Sequence, residues 1–285
     1  MIETQTAVDA LPRSFLAAWS FPLPLVIVLS ITLLVYLRGW SAANRTRPHE
    51  LPPWRASAFI AGIVSLWIAL ASPIDALDDY LLAAHMIQHF ILMSIAPPLI
   101  VLGAPTVPLL RGVPRSLRFL LRPFFRARWL RRVGRFFLHP VVAWLLMNIA
   151  YLGWHVPAAF ELTFTSGLIH QAEHACFFLT SVGFWWVVLA PWPGRRLWPH
   201  WTVIPYLLCA DLLNTMLSAT LAFSGRVLYS PYVNAVRISS LTPLQDQIAA
   251  GAEMWVLNSL VFLVPAVVFT VRMLSPKSLR ALSAL

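Results

Sequence analysis

Seven apolar runs dictate what this chain can become, at approximately 18–37, 56–73, 80–104, 138–157, 168–190, 201–223 and 247–271. Each approaches the roughly 20 residues that a helix needs to cross the hydrocarbon core of a bilayer. With 59% hydrophobic residues, 13 Trp and only 11% charged residues in 285, too few charges exist to cover a water-soluble surface. The expectation is an all-α polytopic membrane protein of seven transmembrane helices, one membrane domain over residues 1–285. Pro22, Pro24, Pro97 and Pro98 fall inside the first and third runs and are expected to kink those helices or break their first turns. The first thirteen residues carry Glu3 and Asp9 before Arg13, and no small-residue cleavage site follows, so the first run reads as a retained span rather than a signal peptide.

Basic residues set the orientation. Arg38, Arg45, Arg47 and Arg55 lie between the first two runs, nine arginines from Arg111 to Arg135 between the third and fourth, and Arg195 and Arg196 between the fifth and sixth. Arg272, Lys277 and Arg280 follow the last run, while Arg13, Arg226 and Arg237 alone fall on the other side. The positive-inside rule then places the N-terminus outside and the C-terminus in the cytoplasm. The net charge of +10 does not imply nucleic acid, because the basic loop 111–135 is interleaved with Leu120, Leu121, Phe124, Phe125 and Trp129. Such a segment suits the anionic lipid headgroups of the cytoplasmic leaflet.

With depth assigned, five of the eight histidines fall at one level near the outer face. His85 and His89 open the third span, His155 closes the fourth, and His170 and His174 open the fifth. Two HxxxH pairs result, and residues four apart on a helix share a face about 6 Å apart along the axis, so each pair can offer two nitrogens to one ion. About ten residues join the fourth and fifth spans, which holds His155 close to His170 and His174. Holding ionisable groups at membrane depth costs a few kcal/mol each, so a metal or haem site is expected here. His49, His139 and His200 lie at the opposite surface and need no ligand role.

Met93 continues the His85–His89 stripe and offers a soft thioether, although methionine also serves as core filling. Asn148, Tyr151 and His155 share a face of the fourth span. Asp211 lies near mid-membrane in the sixth beside Asn214, Thr215 and Ser218, where it calls for a buried partner, hydrogen bonds or a proton. Asp246 and Gln247 open the seventh span at the histidine depth, with Glu253 and Met254 two turns deeper. Asp246 is the leading oxygen ligand, or the carboxylate that receives a ligand's second nitrogen; Glu173 ranks below it because it points about 100° away from His174. Cys176 and Cys209 sit at different depths and read as small buried hydrophobes.

Several strings together resemble the CtaG-like cytochrome c oxidase assembly factors, the caa-type membrane family. They are His85-Met-Ile-Gln-His89 followed by Ala96-Pro-Pro-Leu-Ile-Val-Leu-Gly-Ala-Pro105, His139-Pro-Val-Val-Ala-Trp144, Trp154-His-Val-Pro157, His170-Gln-Ala-Glu-His174 and Leu241-Thr-Pro-Leu-Gln-Asp-Gln-Ile-Ala-Ala-Gly251. The resemblance runs from about residue 50 to 271. It implies a multi-pass bacterial plasma-membrane protein that helps assemble haem-copper oxidase, supplying copper to the catalytic subunit from His85, His89, His155, His170, His174 and Asp246. Copper comes from the resemblance; spacing alone suggests a metal.

Three other readings stay open. A haem protein would use two opposed histidines, which HxxxH on one helix suits less well. An enzyme is not expected, since the chain has no HH doublet, HExxH, Ser-His-Asp or phosphate-cradling glycine motif. A copper transporter would use Asp211 and the polar stripe as a path across the membrane.

Overall fold

The computed structural model of the protein describes residues 19–194 and 198–275, and of Leu121 and Phe125 only the backbone. Arg13, Arg195, Arg196, Lys277 and Arg280, which contribute to the orientation argument, lie outside them, as does residue 18 at the start of the first run. The described residues form helices and connecting turns, with no strand among them.

Helix α1 (Leu23–Asn44) starts later than the first run and reaches further, because Pro22 stands at its cap and Pro24 in its first turn, where a missing N–H costs nothing. α2 (Pro53–Ala71) breaks at Ser72, whose extended backbone precedes Pro73 and whose hydroxyl caps the short α3 (Pro73–Leu77). The third span is composite: α4 (Leu82–Phe90), one π-helical turn (Ile91–Ile95) and α5 (Ala96–Leu102). Its cause is chemical. Pro97 has no N–H for the carbonyl of Met93, and the indole N–H of Trp185 donates to that oxygen instead, at 3.1 Å.

α6 (Thr106–Gly112) folds back on α1 through glycines on both sides. A Cβ on Gly39 would stand 1.7 Å from the Pro108 oxygen, and one on Gly112 1.7 Å from the Val35 oxygen. The basic segment forms two short helices, α7 (Arg115–Arg126) and α8 (Arg128–Phe137), and α8 meets α9 (Pro140–Trp154) at 64°. α9 has 15 residues, about 22 Å at 1.5 Å per residue. α10 (Pro157–Thr165) leads into α11 (Gly167–Leu189), then α12 (Val203–Phe223), the single turn α13 (Pro231–Asn234) and the long α14 (Pro243–Leu274).

Among the described residues six helices are long and apolar enough to cross a membrane, and α8 with α9 makes a seventh if the bent pair is one span. Six to seven candidate spans thus stand against the seven runs of the sequence, and the chain is a multi-pass helical membrane protein. α12 packs on α14, α14 on α4, and α9 on α11, around a core that includes Phe177, Phe184, Trp185, Leu207 and Phe262. Outward-facing Leu34, Ile149, Leu179, Leu212 and Val256 are exposed, as lipid contact requires. Gly251 lets α14 close on α12, since a Cβ there would meet the Ala222 nitrogen at 2.8 Å.

Candidate metal centre

The first HxxxH helix, α4, is held in place from its N-terminal end. α14 opens with a capping box in which the Thr242 hydroxyl accepts from the Gln245 N–H and the Gln245 side chain accepts from the Thr242 N–H. That turn presents Asp246, whose carboxylate accepts from the Leu82 N–H at 2.7 Å and the Ala83 N–H at 3.2 Å. Asp246 thus caps α4, the helix that carries His85 and His89, from a neighbouring helix. Each of its oxygens accepts from a backbone N–H, and among the described residues Asp246 joins none of the groups of donors close enough to share an ion.

Glu173 takes the place intended for Asp246. Wholly buried on α11, its Oε2 lies 4.0 Å from His85 Nε2 and its Oε1 3.8 Å from His89 Nε2. Asp78, just before α4, is also buried and lies 3.6 Å from His170 Nε2. Burial, with Asp79 and Asp75 adding like charge, pushes its carboxyl up to about 8. Among the described residues, three overlapping groups each hold ligand atoms within 4.8 Å of one another: Asp78 with His85 and His170, His85 with His89 and Glu173, and His170 with Glu173 and His174.

Ring centroids confirm the convergence, at 4.2 Å for His85 and His89, 5.4 Å for His85 and His170, 4.2 Å for His170 and His174 and 5.5 Å for His89 and His174. His155 stands beside these four rather than among them, 6.1 Å from His89. Its Nδ1 lies 2.7 Å from the Tyr151 carbonyl, which can only accept, so Nδ1 bears the proton and Nε2 the lone pair. Among the described residues, sixteen buried side-chain nitrogen and oxygen atoms lack a hydrogen-bond partner, and nine of them belong to His85, His89, His155, His170, Glu173 and His174. A metal ion would satisfy such lone pairs, and the donor set fits one.

Aromatic rings roof the cluster. Phe160 of α10 lies 5.1 Å from His85 and 4.1 Å from Tyr229, while Phe164 meets Tyr232 at 5.4 Å. Tyr229 donates to the His155 carbonyl and Tyr232 to that of Asp78. His170, with 24% of its side chain exposed, is the cluster's opening to the outside.

The remaining sequence candidates lie elsewhere. Met93 is buried in the wall of a small cavity that also touches His89 and His155. Asp211 has a hydrogen bond from Ser259 at 2.8 Å and joins none of the donor groups. His49, His139 and His200 are exposed. Both cysteines are free, but Cys209 is exposed and not buried as expected.

Bundle and cluster together define a multi-pass helical membrane protein with an imidazole–carboxylate centre at one end. The family model of the cytochrome c oxidase caa3 assembly factors matches residues 34–275, and the chain belongs to that family. It is similar to uncharacterized proteins of Mycobacterium bovis and Mycobacterium tuberculosis, each 26% identical over 258 residues, and to one of Mycobacterium leprae, 22% identical over 253. These alignments cover 85–86% of this chain but 37–38% of the relatives, so the chain spans well under half their length. No solved structure matches.

Proposed function

We propose that this protein assists cytochrome c oxidase assembly by holding copper in the buried cluster and passing it to the catalytic subunit of a haem-copper oxidase. The observation that carries this reading is the convergence from α4, α11 and the end of α9 of five imidazoles and one carboxyl group with nine atoms lacking hydrogen-bond partners, each imidazole able to offer one lone pair. His85, His89, His170 and His174 would hold the ion as cargo, with Glu173 and Asp78 supplying negative charge and His155 in reserve. Imidazole and carboxylate exchange an ion more readily than a closed thiolate cage. His170 is where cargo would enter and leave. The protein acts as a carrier, not a catalyst, and resides in the bacterial plasma membrane, with the cluster at the extracytoplasmic face and α7–α8 on anionic headgroups.

Haem fits less well: the cavity that reaches His89 and His155 is about 20 Å³, enough for an ion or one water and not for a macrocycle. The test is copper content and affinity of the purified protein beside His85→Ala/His89→Ala and, as control, His139→Ala. Copper should be lost from the double variant alone, with loss of oxidase maturation in cells carrying it. Unchanged stoichiometry in the double variant, or equal loss in the control, would remove the cluster from the function.

A further inference from the structure

Beneath the cluster, toward the membrane interior, lies the cavity of about 20 Å³ bordered by Met86, Met93, Met147 and Met254 together with His89 and His155. Four of the chain's seven methionines thus meet around one void, contributed by α4, the π-helical turn, α9 and α14. All four are buried, the most exposed at 4%.

Methionine commonly fills irregular gaps in a core, and filled gaps leave no space. Here the thioethers surround space that remains, and the space has unpaired nitrogen on its wall. The amides and hydroxyls nearby are spent on one another: Ser94 donates to Asn258, while Asn258 and Tyr151 both donate to Asn214 Oδ1. His155 Nε2 and both nitrogens of His89 have no such partner. His155 is 4% exposed and His89 3%, so water does not reach these atoms from bulk solvent. A trapped water could bond to the imidazoles and to the remaining lone pairs of Ser94, Asn148, Tyr151, Asn214 and Asn258, but it leaves the thioethers nearly unused, whereas a soft cation takes the thioethers together with one lone pair from each imidazole.

We propose that this cavity is a binding site for a soft monovalent cation of the Cu(I) and Ag(I) class, distinct from the imidazole–carboxylate groups above it. Charge separates the two. No carboxylate lines the cavity, so a monovalent ion would bring a single charge among neutral donors, while the groups above include Glu173 and Asp78 and suit a divalent ion. The backbone is shaped for this: the π-helical turn that carries Met93 is fixed by Trp185 on the Met93 carbonyl. His89, present in both constellations, joins them. The inference deepens the copper reading by naming the oxidation state and the donors of an inner position.

The experiment uses the full chain in detergent, loaded anaerobically with Cu(I) or with Ag(I) as a redox-inert probe, and X-ray absorption at the metal edge. Sulfur scatterers beside nitrogen are expected in the wild-type protein. In Met93→Leu/Met147→Leu/Met254→Leu, which nearly conserves volume and leaves Met86 as the one thioether of the four, sulfur scattering should fall to at most a single scatterer and monovalent affinity drop at least about tenfold, with Cu(II) binding unchanged. His85→Ala/His170→Ala should lose Cu(II) and keep the sulfur-ligated ion. Monovalent metal bound by wild type through nitrogen and oxygen alone, or a triple variant with wild-type affinity, overturns the inference and leaves the histidine cluster standing. Full Cu(II) retention in the histidine variant overturns the cluster reading instead, and absence of any metal binding overturns both.

Discussion

A carboxyl with both oxygens lacking a hydrogen-bond partner, placed between imidazoles in an apolar bundle, calls for a cation or a proton, and this makes Glu173 the most informative single residue. Glu173→Gln keeps the shape and removes the charge; copper affinity should fall by about 10- to 100-fold, the usual effect of altering a group that supports a metal site. Competition titration reads this directly, and wild-type affinity would make Glu173 a bystander. Asp78 supplies a pH dependence. Its folded-state value of about 8 stands above the ordinary carboxylate range, so folding takes up a proton. The resulting stability is complete below roughly pH 4 and is lost as pH rises through about 8. Metal-free protein should therefore melt progressively earlier between about pH 5 and pH 8, and Asp78→Asn should flatten that slope. Asp78 lies between two runs and the sequence reading passed over it, whereas depth was legible for Glu173, because apolar runs fix depth. Azimuth was not: the 100° between Glu173 and His174 follows from helix geometry, but which neighbour stands at that angle depends on packing. His85 and His89 approach Glu173 from α4, which no spacing within 170–174 could indicate.

At the scale of single elements, the prolines of the third span announced an interruption and left its form unstated. The π-helical turn arises where Pro97 withdraws a donor from Met93, and its completion by Trp185, ninety-two positions away, depends on tertiary structure. Trp185→Phe should destabilise the detergent-solubilised protein by about 1–3 kcal/mol, the effect of leaving a buried carbonyl unpaired; an unchanged melting profile would show that another group satisfies it. Asp246 gives a parallel case. Its sequence position fitted a ligand, yet a carboxylate next to another helix's free N–H groups is captured by them. Asp246→Ala should lower stability by about 0.5–2 kcal/mol and weaken copper binding only through displacement of α4, whereas Asp246→Asn should retain most of both. Loss of binding in both variants at unchanged stability would restore direct ligation.

For the whole molecule, a multi-pass helical architecture and the basic asymmetry were legible because they depend on how apolar runs and basic residues are spaced along the chain, and the orientation that follows can be tested. Reporters fused at the α1–α2 turn and within residues 115–137 should register as cytoplasmic, and one fused between α12 and α14 as extracytoplasmic; the reverse pattern would turn the cluster toward the wrong compartment for loading. The 15-residue α9, at about 22 Å, is shorter than the roughly 30 Å of a typical hydrocarbon core. Its neighbours α11 and α12 have 23 and 21 residues, so the mismatch is local to the side where His155 ends the short helix. Lipid must thin there or the helix must draw headgroups inward. Acyl-chain length thereby becomes a determinant of how near bulk solvent comes to the imidazoles, and bilayers of longer-chain phospholipid should slow metal exchange without any change in the protein.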